Sequence, residues 1–244
     1  MEWIIRNWYS REIIARLEGE NLAQELRQYL CSKTGATLAW ADLSGTNLSG
    51  AALTGANLAW ADLTDANLTR SELNGANLSS ANLTRAALTW ANLSGTNFTK
   101  ANLSGTNLAD ADLAEVDFSS ADLTRANLSN ANLADADLAG MNLRGVTLAW
   151  ADLSGANLAA ADLTGANLRG ATLTRADLAA ANLSGADLRS ATLVRANLAG
   201  ADLTGATLAR ANLTWANLSG ASLARTDLVG ADLTGADFLE GHDN

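Results

Sequence analysis

The sequence is poor in three residue types on which many folds and active sites depend. It contains no proline, one cysteine and one histidine in 244 residues. Because Cys31 has no second thiol to pair with and His242 is the single imidazole, an internal disulfide and a zinc cage are both excluded. We therefore predict a protein with no metal ion and no cofactor.

Long apolar runs are also missing. The longest run near the start is residues 3–5, which Arg6 interrupts. A run of this length can form neither a signal peptide nor a membrane-spanning helix. We therefore expect a cytoplasmic protein that has no membrane partner.

Aromatic side chains are scarce, at 5% of residues, although hydrophobic residues reach 48%. The apolar content is therefore almost entirely Leu and Ala, a composition typical of a regular repeat rather than of a mixed core. The charge is unbalanced, because 26 acidic against 16 basic side chains give a formal net charge of −10. The chain length is that of one domain.

What the sequence does contain is a repeat of five residues. From Leu38 to position 238 every fifth residue is Leu, except for Phe98, Phe118 and Phe238, which gives 41 consecutive units. The residue two positions earlier is Ala in 33 units, and the position between holds Asn in 18 units and Asp in 14. The unit is thus Ala-(Asn/Asp)-Leu-x-x. We call its last position the closing residue; Gly, Arg, Trp and other polar residues are common there.

A spacing of five fits neither an α-helix nor a β-strand. On a helix it would spread Leu around the whole cylinder, and on a strand it would send successive Leu side chains to opposite faces. A backbone that turns by a fixed amount per unit can point every Leu inward, so that stacked coils bury a column of Leu. Every twentieth residue from Ser44 carries a hydroxyl in eight of ten cases, against 22 of 41 for that position overall, which favours four units per coil.

These units resemble the repeats of pentapeptide-repeat proteins, and the resemblance covers residues 36–240. It implies an all-β solenoid, namely a right-handed quadrilateral β-helix with Leu and the preceding Ala packed inward. It also implies tight turns at the corners and short β-bridges between coils. About ten coils at a spacing of ~4.8 Å would form a column roughly 49 Å long.

Residues 1–35 break the five-residue register, and we predict that they form an N-terminal α-helical cap. Apolar side chains recur at helical spacing at Leu22, Leu26, Tyr29 and Leu30. An earlier amphipathic segment, residues 4–17, is also predicted to be helical, with Gly19 as its stop. Because the open end of a solenoid must be covered, we interpret this segment as a cap. The alternative is a partner or dimer surface.

The other end of the repeat differs, because only a short tail, residues 241–244, follows it. This tail is too short to form a helix. The last coil then stays open or meets another subunit, so an end of the column is a candidate homodimer interface.

The repeat offers no set of polar residues that would converge in a concave catalytic pocket. Its Asp residues occupy one outward position, where they alternate with Asn on a convex surface. Apparent glycosylation and calcium patterns, such as Asn47-Leu48-Ser49 and the pair Asp135 and Asp137, follow from the repeat itself. We therefore predict that the protein is not an enzyme.

Our first functional hypothesis is a non-catalytic scaffold that presents a rigid column to another protein. The candidate partner surface consists of residues that a four-unit register brings together on adjacent coils: Arg169 with Arg189, Arg175 with Arg195, Arg210 beside the first pair, and Trp40 with Trp60. Two adjacent exposed indoles would form a costly apolar patch on a monomer. We therefore expect Trp3, Trp8 or the isoleucines of the N-terminal segment, or a second subunit, to cover them.

The resemblance also implies a second hypothesis, because some pentapeptide-repeat proteins resemble duplex DNA and bind type II topoisomerases such as gyrase. Duplex DNA carries one negative charge per ~1.7 Å. Residues 36–240 carry a net charge of −9, which over the expected column is roughly one charge per 5 Å. We therefore predict a poor DNA mimic and no direct nucleic-acid binding. A third hypothesis is ice or lattice binding through the Ser and Thr side chains that recur at every twentieth residue from position 44 to position 204. Arg144 interrupts this ladder of hydroxyls and weakens the hypothesis.

Overall fold

A computed structural model describes residues 2–18, 21–32 and 37–238. The chain divides into two compact units, Met1–Ala126 and Asn127–Asn244. The N-terminal unit begins with strand β1 (Glu2–Arg6), strand β2 (Ile13–Glu18) and helix α1 (Leu22–Ser32). Five-residue repeats make up the rest of this unit and the described part of the C-terminal unit.

Within each unit, adjacent coils are joined by single parallel β-bridges between residues twenty positions apart. Asp42 pairs with Asp62 in the N-terminal unit, and Asn182 pairs with Asp202 in the C-terminal unit. Each bridge is supported by backbone hydrogen bonds, such as that from Leu43 N to Asp62 O at 2.8 Å. The predicted four units per coil are therefore confirmed, and so are short bridges in place of long strands.

Within each unit the interior of the coils is a column of Leu side chains. In the C-terminal unit the leucines from Leu128 to Leu218 are at most 2% exposed. In the N-terminal unit Phe98 and Phe118 replace two of the leucines and stack with ring centroids 5.6 Å apart. This burial removes the large apolar side chains from water and is the main force that holds adjacent coils together.

Each coil turns just after an inward Leu. Ala41 N donates to Leu38 O at 3.0 Å, and the closing residue between them, Trp40, has a φ of 62°. All forty closing residues from position 40 to position 235 have φ between 55° and 69°, and 17 of them are Gly. A positive φ at the third residue is characteristic of a type II turn, which favours Gly there. The non-glycine residues at the other corners show that coil packing outweighs this local preference.

In the units that carry Asn or Asp before the inward Leu, this side chain stabilises the turn that follows it. Its Oδ1 accepts a hydrogen bond from the backbone N–H two residues later, at 3.0 Å from Thr69 to Asn67 and at 2.9 Å from Thr204 to Asp202. This arrangement is an Asx-turn. A Ser or Thr hydroxyl after the Leu often donates to the same oxygen, as Thr64 Oγ1 does to Asp62 at 2.6 Å.

The N-terminal segment differs from the predicted helical cap. Its first part is an antiparallel hairpin of β1 and β2, so the helix predicted over residues 4–17 is wrong. The exposure of its side chains has a period of two, because Ile4 is 40% exposed and Ile5 3%. The β-branched isoleucines favour strand, and Asn7 closes the connection by accepting hydrogen bonds from the backbone N–H groups of Tyr9 and Ser10.

The hairpin is joined to the first coil through its connection. Asn7 forms an antiparallel bridge with Ala41, and Trp8 N donates to Trp40 O at 2.9 Å. The second predicted helix is confirmed as α1, with Leu22 and Leu26 buried. Some sequence predictions lie outside the described residues, namely those on Gly19, on the side chains of Trp3, Leu30 and Cys31, and on the tail with His242.

Candidate functional site

A groove of about 680 Å³ follows one corner of the C-terminal unit. Its lining includes Arg175 and Arg195, which are closing residues of adjacent coils and are both exposed. The coils are in register here, because Arg175 N donates to Val194 O at 2.9 Å. Neither arginine takes part in any ion pair formed by the described residues. Two like charges therefore share one groove on a chain whose net charge is negative.

Side chains of opposite character flank this arginine pair along the same corner. Asp135 lies over Gly155 on one side, so close that a Cβ on the glycine would clash with the carboxylate. On the other side Trp215 also lines the groove and is 61% exposed. The groove thus presents an acid, two bases and an indole in sequence along adjacent coils.

Arg169 and Arg189 occupy the same position on adjacent coils, as the twenty-residue register predicts, since Gly170 N donates to Arg189 O at 2.9 Å. Arg189 forms a bidentate ion pair with Asp187, at 2.8 and 2.6 Å. These hydrogen bonds hold the pKa of Asp187 below its usual value, and the charge of Arg169 lowers it further. Much of the charge of Arg189 is therefore already paired, unlike that of Arg175 and Arg195.

Arg210 lies at the same corner as Arg169 and Arg189, one coil beyond Arg189, as the register predicts, because Ser190 N donates to Ala209 O at 3.0 Å. Its Cγ is 3.6 Å from the position that a Cβ on Gly230 would occupy. The side chain is exposed and does not line the groove. The arginines of the predicted partner surface thus fall into two groups: the groove pair, and a second corner that holds the partly paired Arg169 and Arg189 with Arg210 beside them.

Trp40 and Trp60 stack as the register predicts, with ring centroids 4.9 Å apart and planes 2° from parallel. The hairpin covers one side of the stack, because the centroid of Trp8 lies 5.9 Å from that of Trp40. Trp8 Nε1 also donates to Trp60 O at 2.6 Å. Trp8 of the N-terminal segment therefore covers Trp40 as expected, from a hairpin and not from a helix. Trp60 stays 47% exposed, so the expected cover holds only in part.

Sequence reasoning missed a second groove, of about 600 Å³, in the N-terminal unit. Its lining includes Gly50, Arg70 and Trp90, which are closing residues on successive coils. It also missed Asp135 and Trp215 beside the predicted arginine pair. The signal was available, because reading closing residues at intervals of twenty gives Gly, Arg and Trp in one column and Asp, Gly, Arg, Arg and Trp in the other.

Within residues 2–18, 21–32 and 37–238, no group of three or more His, Cys, Asp or Glu side chains could hold a metal ion. No helix in that part of the chain is long and apolar enough to cross a membrane.

The sequence matches the family model described as pentapeptide repeats, through overlapping segments that run from residue 34 to residue 240. None of the curated protein sequences gives a significant match. Among solved structures, HetL from the cyanobacterium Nostoc sp. strain PCC 7120 is 35% identical. HetL is a pentapeptide repeat protein involved in the regulation of heterocyst differentiation. The match covers 93% of this chain and 100% of HetL, with a TM-score of 0.65.

Two further solved structures are similar to this chain, either over a smaller share of its length or at lower sequence identity. QnrB1, a plasmid-mediated fluoroquinolone resistance protein, is 22% identical, with coverage of 80% of this chain and 89% of QnrB1 and a TM-score of 0.36. A pentapeptide repeat protein from the Arabidopsis thaliana thylakoid lumen is 36% identical over 44% of this chain and 68% of its own, with a TM-score of 0.23.

Proposed function

Because this chain belongs to the pentapeptide-repeat family of right-handed β-helical solenoids, we propose that it is a non-catalytic scaffold that binds another protein. The proposal rests chiefly on the unpaired Arg175 and Arg195 in the groove of the C-terminal unit. The similarity to HetL supports a regulatory role, since HetL is involved in the regulation of a differentiation process.

The chemistry of the groove favours an acidic segment of the partner. A guanidinium group presents a planar fork of N–H donors that can bind a carboxylate through two parallel hydrogen bonds. The closing residues of adjacent coils are spaced by about 4.8 Å, so Arg175 and Arg195 can engage neighbouring carboxylates. Asp135 at one side of the pair would repel a further acidic residue, which sets a limit to the acidic segment.

Trp215 extends the proposed contact beyond the arginines. Tryptophan and arginine are enriched among the residues that dominate binding energy at protein interfaces. The exposed indole offers an apolar surface next to the charged one, so the partner segment should carry an apolar side chain on the side of Trp215. This combination of charge and apolar contact distinguishes the groove from a uniformly solvated surface.

The experiment is a quantitative capture of partners from the native host by tagged full-length protein. The test variant is Arg175→Glu/Arg195→Glu. The matched control is Arg125→Glu/Arg225→Glu, because these two arginines are also exposed closing residues with positive φ. Both variants change the net charge equally, so a general effect of charge would act on both.

We expect wild type and the control to enrich the same protein. The test variant should enrich that protein at least about tenfold less, since charge reversal adds repulsion to the loss of hydrogen bonds. Equal enrichment by both variants would overturn the assignment of the groove. A melting temperature unchanged between the variants serves as the check on folding.

The alternative function, DNA mimicry toward a type II topoisomerase such as gyrase, is disfavoured by the same two arginines. Their positive charges would face a DNA-binding surface with the wrong sign. We expect micromolar protein at physiological salt to leave gyrase supercoiling unchanged. Stoichiometric inhibition in that assay would replace the scaffold proposal with the mimic.

We further propose that the scaffold acts in the cytoplasm and that an end of the column can mediate a homodimer. The last described coil supports the second point, because Leu223, Leu228 and Leu233 are only half-buried and Phe238 is 47% exposed. Light scattering coupled to size exclusion tests it through the mass in solution, and a monomer at all concentrations would contradict it.

A further inference from the structure

A small cavity of about 130 Å³ lies beside the tryptophan stack of the N-terminal unit. It is lined by Trp8, Trp60, Ala61, Asp62, Ser80 and Asn82. At about 30 Å³ per water molecule this is room for about four waters, the size of a small organic group. The lining combines an aromatic wall with a carboxylate, and each part is held in place by contacts within the unit.

The aromatic wall is formed by the outer face of Trp60. One face of this indole is stacked against Trp40, while the next residue along the same corner is Ser80, whose short side chain leaves the other face open. Trp60 is accordingly 47% exposed. The hydrogen bond from Trp8 Nε1 to Trp60 O fixes the second aromatic side of the cavity.

The carboxylate of Asp62 supplies the charge. Its Oδ1 is occupied by the following turn, which donates from Thr64 N at 3.0 Å and from Thr64 Oγ1 at 2.6 Å. No described residue donates a hydrogen bond to Asp62 Oδ2, and Asp62 takes part in none of the ion pairs of the described chain. The neighbouring Asn82 Nδ2 donates to Thr64 Oγ1 at 2.8 Å and to Asp62 Oδ1 at 3.5 Å. Because this amide is neutral, the carboxylate keeps its negative charge.

We propose that this cavity binds an organic ammonium ion, with its alkyl groups against Trp60 and its charge beside Asp62. The face of an indole attracts cations more strongly than that of any other side chain, and alkylated ammonium groups are well suited to aromatic walls. Two sources carry this chemistry: a free small quaternary ammonium ion, and an alkylated lysine side chain of a protein. The site is independent of the arginine groove, so either can fail without the other.

The first test titrates full-length, ¹⁵N-labelled protein with tetramethylammonium chloride and follows the indole N–H signals of Trp8 and Trp60. tert-Butanol is the neutral control of similar size, and sodium chloride is the control for ionic strength. We expect saturable shifts with tetramethylammonium and binding of tert-butanol at least about tenfold weaker, since the neutral molecule lacks the cation–π and ionic contributions. Equal binding of both probes, or no saturable shift with tetramethylammonium, would overturn the proposal.

Variants assign the binding to the two groups. Trp60→Ser introduces the residue that occupies the same corner at position 80, and Asp62→Asn introduces the residue found at position 82, so the corner and its turn are preserved. The matched controls are Trp90→Ser and Asp122→Asn, which make the same changes elsewhere in the unit. We expect each test variant to bind tetramethylammonium about tenfold more weakly and the controls to bind as wild type; equal loss in test and control variants would contradict the site.

A final comparison separates the two sources. Nα-Acetyl-Nε-trimethyllysine amide is titrated against the same protein and its affinity is compared with that for tetramethylammonium. Affinity at least about tenfold tighter would support a lysine side chain as the ligand, because contacts beyond the ammonium group then contribute. Equal or weaker binding would support a free small ion, and binding of neither probe would overturn the proposal.

Discussion

The inward leucines of the C-terminal unit, from Leu128 to Leu218, are at most 2% exposed, whereas Trp150 and Trp215 at closing positions are 60% and 61% exposed. In that stretch the inward position is always Leu, while the closing position holds residues as different as Gly, Ala, Asp, Arg and Trp. The buried column therefore determines the coil, and the corners accept many side chains without altering it. Binding chemistry can change at the corners at little cost to the fold.

The largest effect should follow from placing a charge in the column. Leu83 is fully buried, and Leu83→Asp would bury a carboxylate with no partner, which costs several kcal/mol. We expect loss of the cooperative melting transition, measured by circular dichroism. The exposed corner variant Lys100→Asp is the control and should melt close to wild type; a native transition in Leu83→Asp would contradict the assignment of Leu83 to the core.

A corner that contacts a tryptophan should be less tolerant than an open one. Gly165→Ala should lose about 1 kcal/mol, because φ is +63° and L-residues are disfavoured there. Gly170→Ala should lose a further ~1–3 kcal/mol of unfolding free energy, since its Cβ would meet the ring of Trp150 and overpacking is costly. In a Trp150→Ser background, Gly170→Ala should lose no more unfolding free energy than Gly165→Ala does. A difference in denaturant midpoints that persists in this background would refute the contact.

Two inward hydroxyls should respond with opposite signs. Thr96 Oγ1 donates to Leu73 O at 2.9 Å, so Thr96→Val should lower the unfolding free energy by about 1 kcal/mol. Ser71 Oγ is buried without a hydrogen-bond partner, and Ser71→Ala should raise the unfolding free energy by about 1 kcal/mol. Urea denaturation measures both, and destabilisation by Ser71→Ala would show that its hydroxyl is paired in solution.

The smallest effect concerns pH. The Thr164 hydroxyl chiefly holds the pKa of Asp162 below its usual value, with help from the Thr164 N–H and Arg144. A lowered folded-state pKa contributes stability at pH values above the ordinary carboxyl pKa of about 4. This contribution is lost as the pH falls through the folded-state pKa. Asp162→Asn keeps the acceptor oxygen without the titration, so its melting temperature should fall less than that of wild type between pH 7 and pH 3. An equal fall would assign the acid sensitivity to other groups.

The buried column of leucines could be predicted from the sequence. One position per unit is filled by Leu or Phe throughout, and a period of five leaves the chain no regular element except a coil. The Ser and Thr hydroxyls that recur at every twentieth residue from position 44 were enough to favour four units per coil. Prediction succeeded here because each inward residue has the same environment as the one twenty positions away.

The N-terminal segment and the corners were predicted less well, because their structure depends on residues that are neighbours in space but not in sequence. The isoleucines of residues 4–17 suit a helix or a strand, and pairing with the first coil through Asn7 and Ala41 favours the hairpin. At the corners the register placed Arg175 beside Arg195. The groove itself depends on Gly155 and Trp215, which share their column but lie far away in the sequence.

The central claim, that the corner groove receives a protein partner, is tested most directly by site-specific photo-crosslinking in the native host. A photoreactive residue replaces Val194, which lines the groove, or Val229, which follows an inward Leu in the same way and is 74% exposed. We predict a discrete crosslinked protein from position 194 that disappears in the Arg175→Glu/Arg195→Glu background, and none from position 229. Crosslinks from position 229 alone, or an adduct at position 194 that survives charge reversal, would contradict the claim.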